Sequence, residues 1–289
     1  MTDNHKPTLL PSDALTGLRV AISASESADL ARLGLMEDHF KLALGEIGRS
    51  VLVSGGKLVY GGHLSPDGYT VYLLQELHRY SRLDRPFRVC LAWPQHRAMS
   101  LQDLEKQKSE LGLFGDIVCL GPDGTEVDYA AGRRDMPEPV SDEEIRQRSL
   151  TAMRSYMAKL ADARVMLGGK RSGFQGRLPG LLEEALITLR HKRPLYLAAG
   201  FGGITWDIAK ALNVDDGTWF PTISSGEDAD PSLSTGLDEI KQVATDPHWA
   251  GLNNGLTQEE NTRLAATHRP SDIAALVALG LGRLFFKPK

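Results

Sequence analysis

The chain has 289 residues, 42% hydrophobic and 24% charged, enough to bury one large core or a core with a smaller appendage. A formal net charge of −4 and a pI near 6.1 give no uniform positive field for a polyphosphate backbone, which speaks against nucleic acid as a partner and requires any basic site to be local. Cys90 and Cys119 stand in apolar runs that suit buried reduced thiols, and the histidines show no ligand spacing, so neither a metal nor a cofactor is expected.

Residues 1–16 are polar, carry prolines at positions 7 and 11, and read as a loose arm. They lack the apolar stretch of a signal peptide, and no later run reaches the roughly 20 apolar residues of a membrane span. The expected compartment is the cytoplasm, without membrane contact. The fold is expected to start at residues 18–23, an apolar run of strand length, followed by a polar turn and apolar residues at helical spacing over 30–47. The pattern then repeats. Residues 57–60 form a strand ending in Gly61 and Gly62, and 70–80 a helix. Strands at 87–93 and 116–120 flank a polar helix at 101–112.

Residues 121–142, rich in Gly, Asp and Pro, read as a long surface excursion, a type of loop that is often functional. Ser141 and Glu144 form a capping box for a helix running to residue 160, before a strand at 164–167, a helix at 180–190, a strand at 194–198 and a helix from 200–203 to 212. Such alternation predicts an α/β, Rossmann-like, doubly wound and mainly parallel sheet of about six strands over residues 17–213. Residues 214–289 hold three helical segments, one opened by Thr257 with Glu260, and form a helical extension expected to cover the sheet or make a subunit interface.

In an open parallel sheet, ligands bind where strand ends meet helix N-termini, whose free N–H groups favour anions. The candidate ligand-binding residues therefore lie in four turns. Ser23, Ser25, Glu26 and Ser27 follow the first strand, and Gly61 and Gly62 the second. Gly168, Gly169, Lys170, Arg171, Gly176, Arg177 and Gly180 follow the fifth, and Gly200, Phe201, Gly202 and Gly203 the last. The glycines admit close backbone approach or tight strand–helix packing, and the lysine and arginines add cationic donors. The serines cap helices or bond phosphate and ribose. Arg148 and Arg154 are solvated helix residues or lean over the crevice, while Tyr60, Tyr69 and Phe201 pack the core or stack a base. Glu183 and Glu184, in a first helical turn, complement the dipole or reach a ribose. GxxxxGK[ST] is absent, and the first turn lacks GxGxxG, which argues against a P-loop NTPase and a standard dehydrogenase.

The segment DARVMLGGKRSGFQGRLPGLLEEA, followed by PLYLAAGFGG, resembles the SLOG superfamily, named after the Smf/DprA and LOG proteins. ISASESADLARLGL and LVYGGHLSPDGYT are similar to the branch related to the N-terminal region of TRPM channels and to anti-phage SLOG domains. The resemblance implies a Rossmann-like sheet that binds a nucleotide-derived small molecule, in some members an ADP-ribose derivative, with a homo-oligomer or an effector protein as partner. LOG enzymes hydrolyse an N-glycosidic bond with a PGGxGTxxE motif and an upstream arginine in RKxxM. Here Glu184 is the best match to the motif carboxylate, with Glu183 next. Arg154 stands one place after the arginine position, which Met153 occupies, and PGGxGT is missing. The resemblance thus implies ligand binding ahead of hydrolysis, with catalytic roles for Glu184, Glu183 and Arg154 only in the hydrolytic alternative.

Overall fold

The computed structural model describes residues 10–62, 68–80, 85–215, 217–220, 230–246 and 251–286. Six parallel strands alternate with helices. In chain order these are β1 (Arg19–Ser25), α1 (Glu37–Val53), β2 (Lys57–Gly61), α2 (Tyr69–Tyr80), β3 (Phe87–Leu91), α3 (Trp93–Arg97), α4 (Leu101–Leu111), β4 (Gly115–Cys119) and α5 (Glu143–Leu160). β5 (Ala163–Gly168), α6 (Gly180–Arg190), β6 (Leu195–Ala198), α7 (Gly203–Ala211), α8 (Pro231–Thr245), α9 (Gln258–Ala266) and α10 (Pro270–Phe285) complete the chain. The strand order is β4-β3-β2-β1-β5-β6, so the direction in which successive strands are added reverses between β1 and β5, the point where open α/β sheets leave a crevice beyond their carboxyl ends.

Local chemistry explains where the elements depart from expectation. The helical spacing that begins at Leu30 does not run into α1. Gly34, at φ 68°, ends a short turn that the Leu35 N–H closes onto the Leu30 carbonyl at 2.9 Å, and a new helix starts at Glu37. β3 ends at Leu91 because Pro94 sits in the first turn of α3, where its missing N–H costs nothing. Asp142, not Ser141, caps α5 by accepting the Ile145 N–H at 3.0 Å, whereas Thr257 and Glu260 do form the capping box of α9. Of the residues read as an arm, 1–9 lie outside the described residues, but Leu15 is buried and its N–H reaches the Ser54 carbonyl at 2.8 Å.

The C-terminal helices pack on the sheet layers. Ile273, Val277 and Leu281 of α10 share a core with Phe40, Leu44 and Ile47 of α1, while Leu233 and Ile240 of α8 join Leu182, Leu186 and Ile208 from α6 and α7. Cys90 aligns with Val118, and Cys119 with Leu91, which sends the two thiols to opposite faces of neighbouring strands and rules out a bond between them. Burial pushes both up to about 12, so they are neutral core thiols.

His96 is 1% exposed and donates Nε2–H to the Leu120 carbonyl at 3.1 Å, while Nδ1 is buried without a partner among the described residues. Burial, with Arg133 and Arg97 nearby, pushes the imidazole from 6.5 down to about 4. A base with a depressed folded-state pKa takes up a proton on unfolding, so stability falls as pH drops from about 6.5 to 4. In urea titrations, wild type should lose on the order of 3 kcal/mol more across that window than His96→Gln does. Parallel pH profiles would show that His96 carries no such linkage.

Candidate functional site

An open crevice of about 870 Å³ lies over the carboxyl ends of β1, β2 and β3. Its floor is Ala24, Ser25, Tyr60, Gly61 and Leu91. One wall is α5, through Leu150, Met153 and Arg154, and the opposite end is the start of α6, through Gly180, Leu181 and Glu184. Glu26, Gly62, Lys170 and residues 173–175 form the rim.

Beneath the β1–β5 junction lies a charge-balanced quartet. Arg164, an arginine inside an otherwise apolar strand, is 1% exposed. Its Nη1 donates to Ser23 Oγ at 2.6 Å and pairs with Glu184 Oε2, and its Nε donates to Thr188 Oγ1 at 2.8 Å. Ser23 Oγ–H in turn donates a hydrogen bond to the same Glu184 oxygen. Burial draws Arg164 below the ordinary arginine range while the Glu184 charge opposes that shift. The other pair is Arg154 with Glu183, whose second oxygen accepts Thr151 Oγ1 at 2.5 Å. Arg154 Nε also stands 4.0 Å from Glu184 Oε1. Two arginines thus match two glutamates in a place where an unmatched charge would be costly.

The two adjacent glutamates differ in what remains open. Glu183 has both oxygens engaged by α5. Glu184 lines the crevice, has Oε2 fixed from below, and accepts no hydrogen bond at Oε1 among the described residues. Gly176 and Gly180 make room for Arg154, since a Cβ on either would fall 2.8 or 3.0 Å from its guanidinium nitrogens. Tyr60 and Tyr69 line the same space. Burial, with the Glu184 charge beside Tyr60 and those of Glu37 and Glu26 beside Tyr69, raises both phenols well above the usual range and keeps them neutral.

The structure therefore brings Ser25, Glu26, Gly61, Gly62, Lys170, Gly180, Arg154 and Glu184 to one crevice, with Ser23 just below. Other candidates lie elsewhere. Arg171 binds Asp207 through two nitrogens, at 2.6 and 3.1 Å, and Asp29 at 2.7 Å. Asp29 in turn accepts the Gly203 N–H at 2.7 Å, and a Cβ on Gly202 would land 2.5 Å from that of Asp29. The last turn is thus closed by a carboxylate of the chain itself, with Gly200 against the Thr267 backbone and Phe201 fully buried against Phe40. Gly168 and Gly169 serve close packing, on Ser25 and on Ile204. Ser27 accepts the Asp29 N–H at 3.3 Å inside its own turn, and Arg148 and Arg177 are exposed outside the crevice lining.

Asp29, Gln95, Thr151, Arg164 and Thr188 were not singled out from sequence. Only Arg164 carried a legible signal, because a charge inside a buried strand requires a partner. Among the described residues, no group of three or more His, Cys, Asp or Glu could hold a metal ion, and no helix is long and apolar enough to cross a membrane.

Lys170 and Arg171, adjacent in sequence, should separate by experiment. Among the described residues Lys170 pairs with Glu26 alone, 49% and 68% exposed, so Lys170→Ala should leave the melting temperature unchanged and weaken a phosphate-bearing ligand about three- to tenfold. Arg171→Ala leaves Asp29 and Asp207 facing each other and should cost about 2 kcal/mol of stability, the low end for a partly exposed network. Melting curves and calorimetric titration read both, and equal melting temperatures would remove the structural role of Arg171.

A family model described as SLOG cluster2 matches residues 14–264. No curated protein matches the chain.

Proposed function

This chain belongs to the SLOG cluster2 family, a nucleotide-related Rossmannoid group, and on that premise we propose that it binds and senses a nucleotide-derived small molecule in the crevice at the β1–β5 switch point. The observation that carries the reading is the state of Glu184. With Oε2 held by Arg164 and Ser23, the carboxylate is a fixed acceptor that leaves Oε1 for ribose hydroxyls. The N-terminal turn of α6 and Lys170 supply N–H groups and a cation for phosphate. The ligand class includes ADP-ribose derivatives. The bound state is read by a second copy of the chain or by an effector protein.

A hydrolytic reading draws on Arg154 lying 4.0 Å from Glu184, with the arginine holding phosphate and the carboxylate supporting attack at the anomeric carbon. The missing PGGxGT and the engagement of Glu184 by Arg164 weigh against it. The test is a thermal-shift screen with AMP, NAD, ADP-ribose and cyclic ADP-ribose, followed by chromatography of each stabilising compound. Wild type should be stabilised and release no free base, and Glu184→Gln should bind within about tenfold of wild type. Base release that is lost in Glu184→Gln would replace sensing with hydrolysis. Release that persists there but is lost in Glu183→Gln would move the active carboxylate by one residue.

A further inference from the structure

The crevice has two chemically different ends. Over β1 and β5 it is ionic, with Glu184, Arg154, Lys170 and the start of α6. Over β2 and β3 it is apolar, lined by Leu91, Ala98, Met99, Leu150 and Met153. The polar side-chain head that α3 contributes to this apolar end is the amide of Gln95. Gln95 Oε1 accepts the Ala92 N–H at 2.7 Å as part of the cap of α3. A backbone N–H can only donate, so this contact forces the amide orientation: the carbonyl faces the backbone and the NH2 group faces away from it. Nε2 has no hydrogen-bond partner among the described residues. The far lobe therefore offers flat apolar surface with a donor, whose sign is fixed by the fold, on a crevice-lining residue.

We propose that this lobe is a base subsite, in which Gln95 Nε2 donates to a ring-nitrogen acceptor of a purine whose faces lie against Met99, Leu150 and Met153. The inference rests on the crevice reading above and specifies its ligand. Two inter-strand spacings, roughly 10 Å in all, separate β1 from β3, which matches the reach of a purine nucleoside from its ribose hydroxyls to the far edge of its base. The thioether side chains suit a polarisable ring, and the lobe brings no charge that would have to be matched. An amide held in this orientation turns its NH2 group towards the ligand, so it discriminates in favour of an edge with a lone pair and against one presenting N–H at the same place.

Gln95→Glu is the informative substitution. It preserves the bond to the Ala92 N–H, and thus the cap, while turning the outward donor into an acceptor. The probes are AMP and its deaza analogues, in which one ring-nitrogen acceptor at a time is replaced by C–H, measured by calorimetric titration with the full chain. For wild type, one analogue should bind about three- to tenfold more weakly than AMP, the size of one hydrogen bond. For Gln95→Glu, AMP should lose at least about tenfold and that analogue should bind as well as AMP or better, because the lone-pair repulsion is gone. A wild type that binds AMP, weakens on Lys170→Ala and yet does not distinguish the analogues, with Gln95→Glu binding AMP within twofold, overturns the base subsite alone. A wild type that binds none of AMP, NAD and ADP-ribose overturns the subsite and the crevice reading together.

Discussion

Replacing Arg164 by methionine is expected to lower the unfolding free energy by about 3–5 kcal/mol, the range for a buried ion pair broken on one side. The guanidinium is 1% exposed and serves Ser23, Thr188 and Glu184, so its removal leaves a 6% exposed carboxylate and two hydroxyls with reduced company. Lysine is no substitute, since a single ammonium cannot reach partners on β1 and at two levels of α6. Because the penalty comes mainly from the stranded charge, Arg164→Met with Glu184→Gln should be more stable than the sum of the single changes by about 1–3 kcal/mol. Urea unfolding of the four proteins reads this coupling. A single Arg164→Met within 1 kcal/mol of wild type would mean that the quartet contributes no net stability.

Gly168→Ala should cost about 3 kcal/mol or more, or abolish soluble expression. Gly168 has φ 63°, where an L side chain alone costs about 1–2 kcal/mol. The added Cβ would also stand 2.4 Å from the Ser25 carbonyl oxygen, which accepts the Gly169 N–H at 3.0 Å. Neither backbone can retreat without breaking β1–β5 pairing at the crevice floor. Gly173 provides the control. It has φ 67° with nothing within 4 Å of a built Cβ, so Gly173→Ala carries only the conformational cost of about 1–2 kcal/mol. Equal losses from the two changes, measured in the same urea series, would show that φ alone matters and that the β1–β5 junction is pliant.

The sheet was legible in the sequence because buried parallel strands are written as apolar runs between turn residues: 57–60 and 164–167 fall within observed strands, and 116–120 overruns β4 by one residue. Helix starts were less legible. The apolar spacing from Leu30 is shared by a closed turn and a helix, and only the backbone at Gly34 separates them. The glycine turns were found as strings, but a string does not say what fills the space above it. The turn at Gly200–Gly203 is occupied by Asp29, 174 positions before Gly203, and by the Thr267 backbone, from beyond α9, while the turn at Gly61–Gly62 stays open to the crevice. Arg171 and Lys170 show the same limit. They carry the same charge at neighbouring positions, and only tertiary contacts assign one to a clasp and the other to a rim.

Contacts at the crevice floor join residues far apart in the chain: Ser23 meets Arg164 across 141 positions and Glu184 across 161. Loop closure on that scale is entropically demanding, and contacts of such sequence separation form late in folding. During synthesis, β1, β2, β3 and β4 can emerge and pair before the ribosome reaches β5, yet Ser23 in β1 has neither Arg164 nor Glu184 to bond and the switch point does not exist until β5 and α6 are out. On the proposed binding role, the N-terminal half of the chain alone cannot hold the ligand, and binding requires β5 and α6 to be docked beside β1. A nascent-chain series lengthened through this region should acquire ligand protection abruptly, a few tens of residues after Glu184 is made, once α6 clears the exit tunnel.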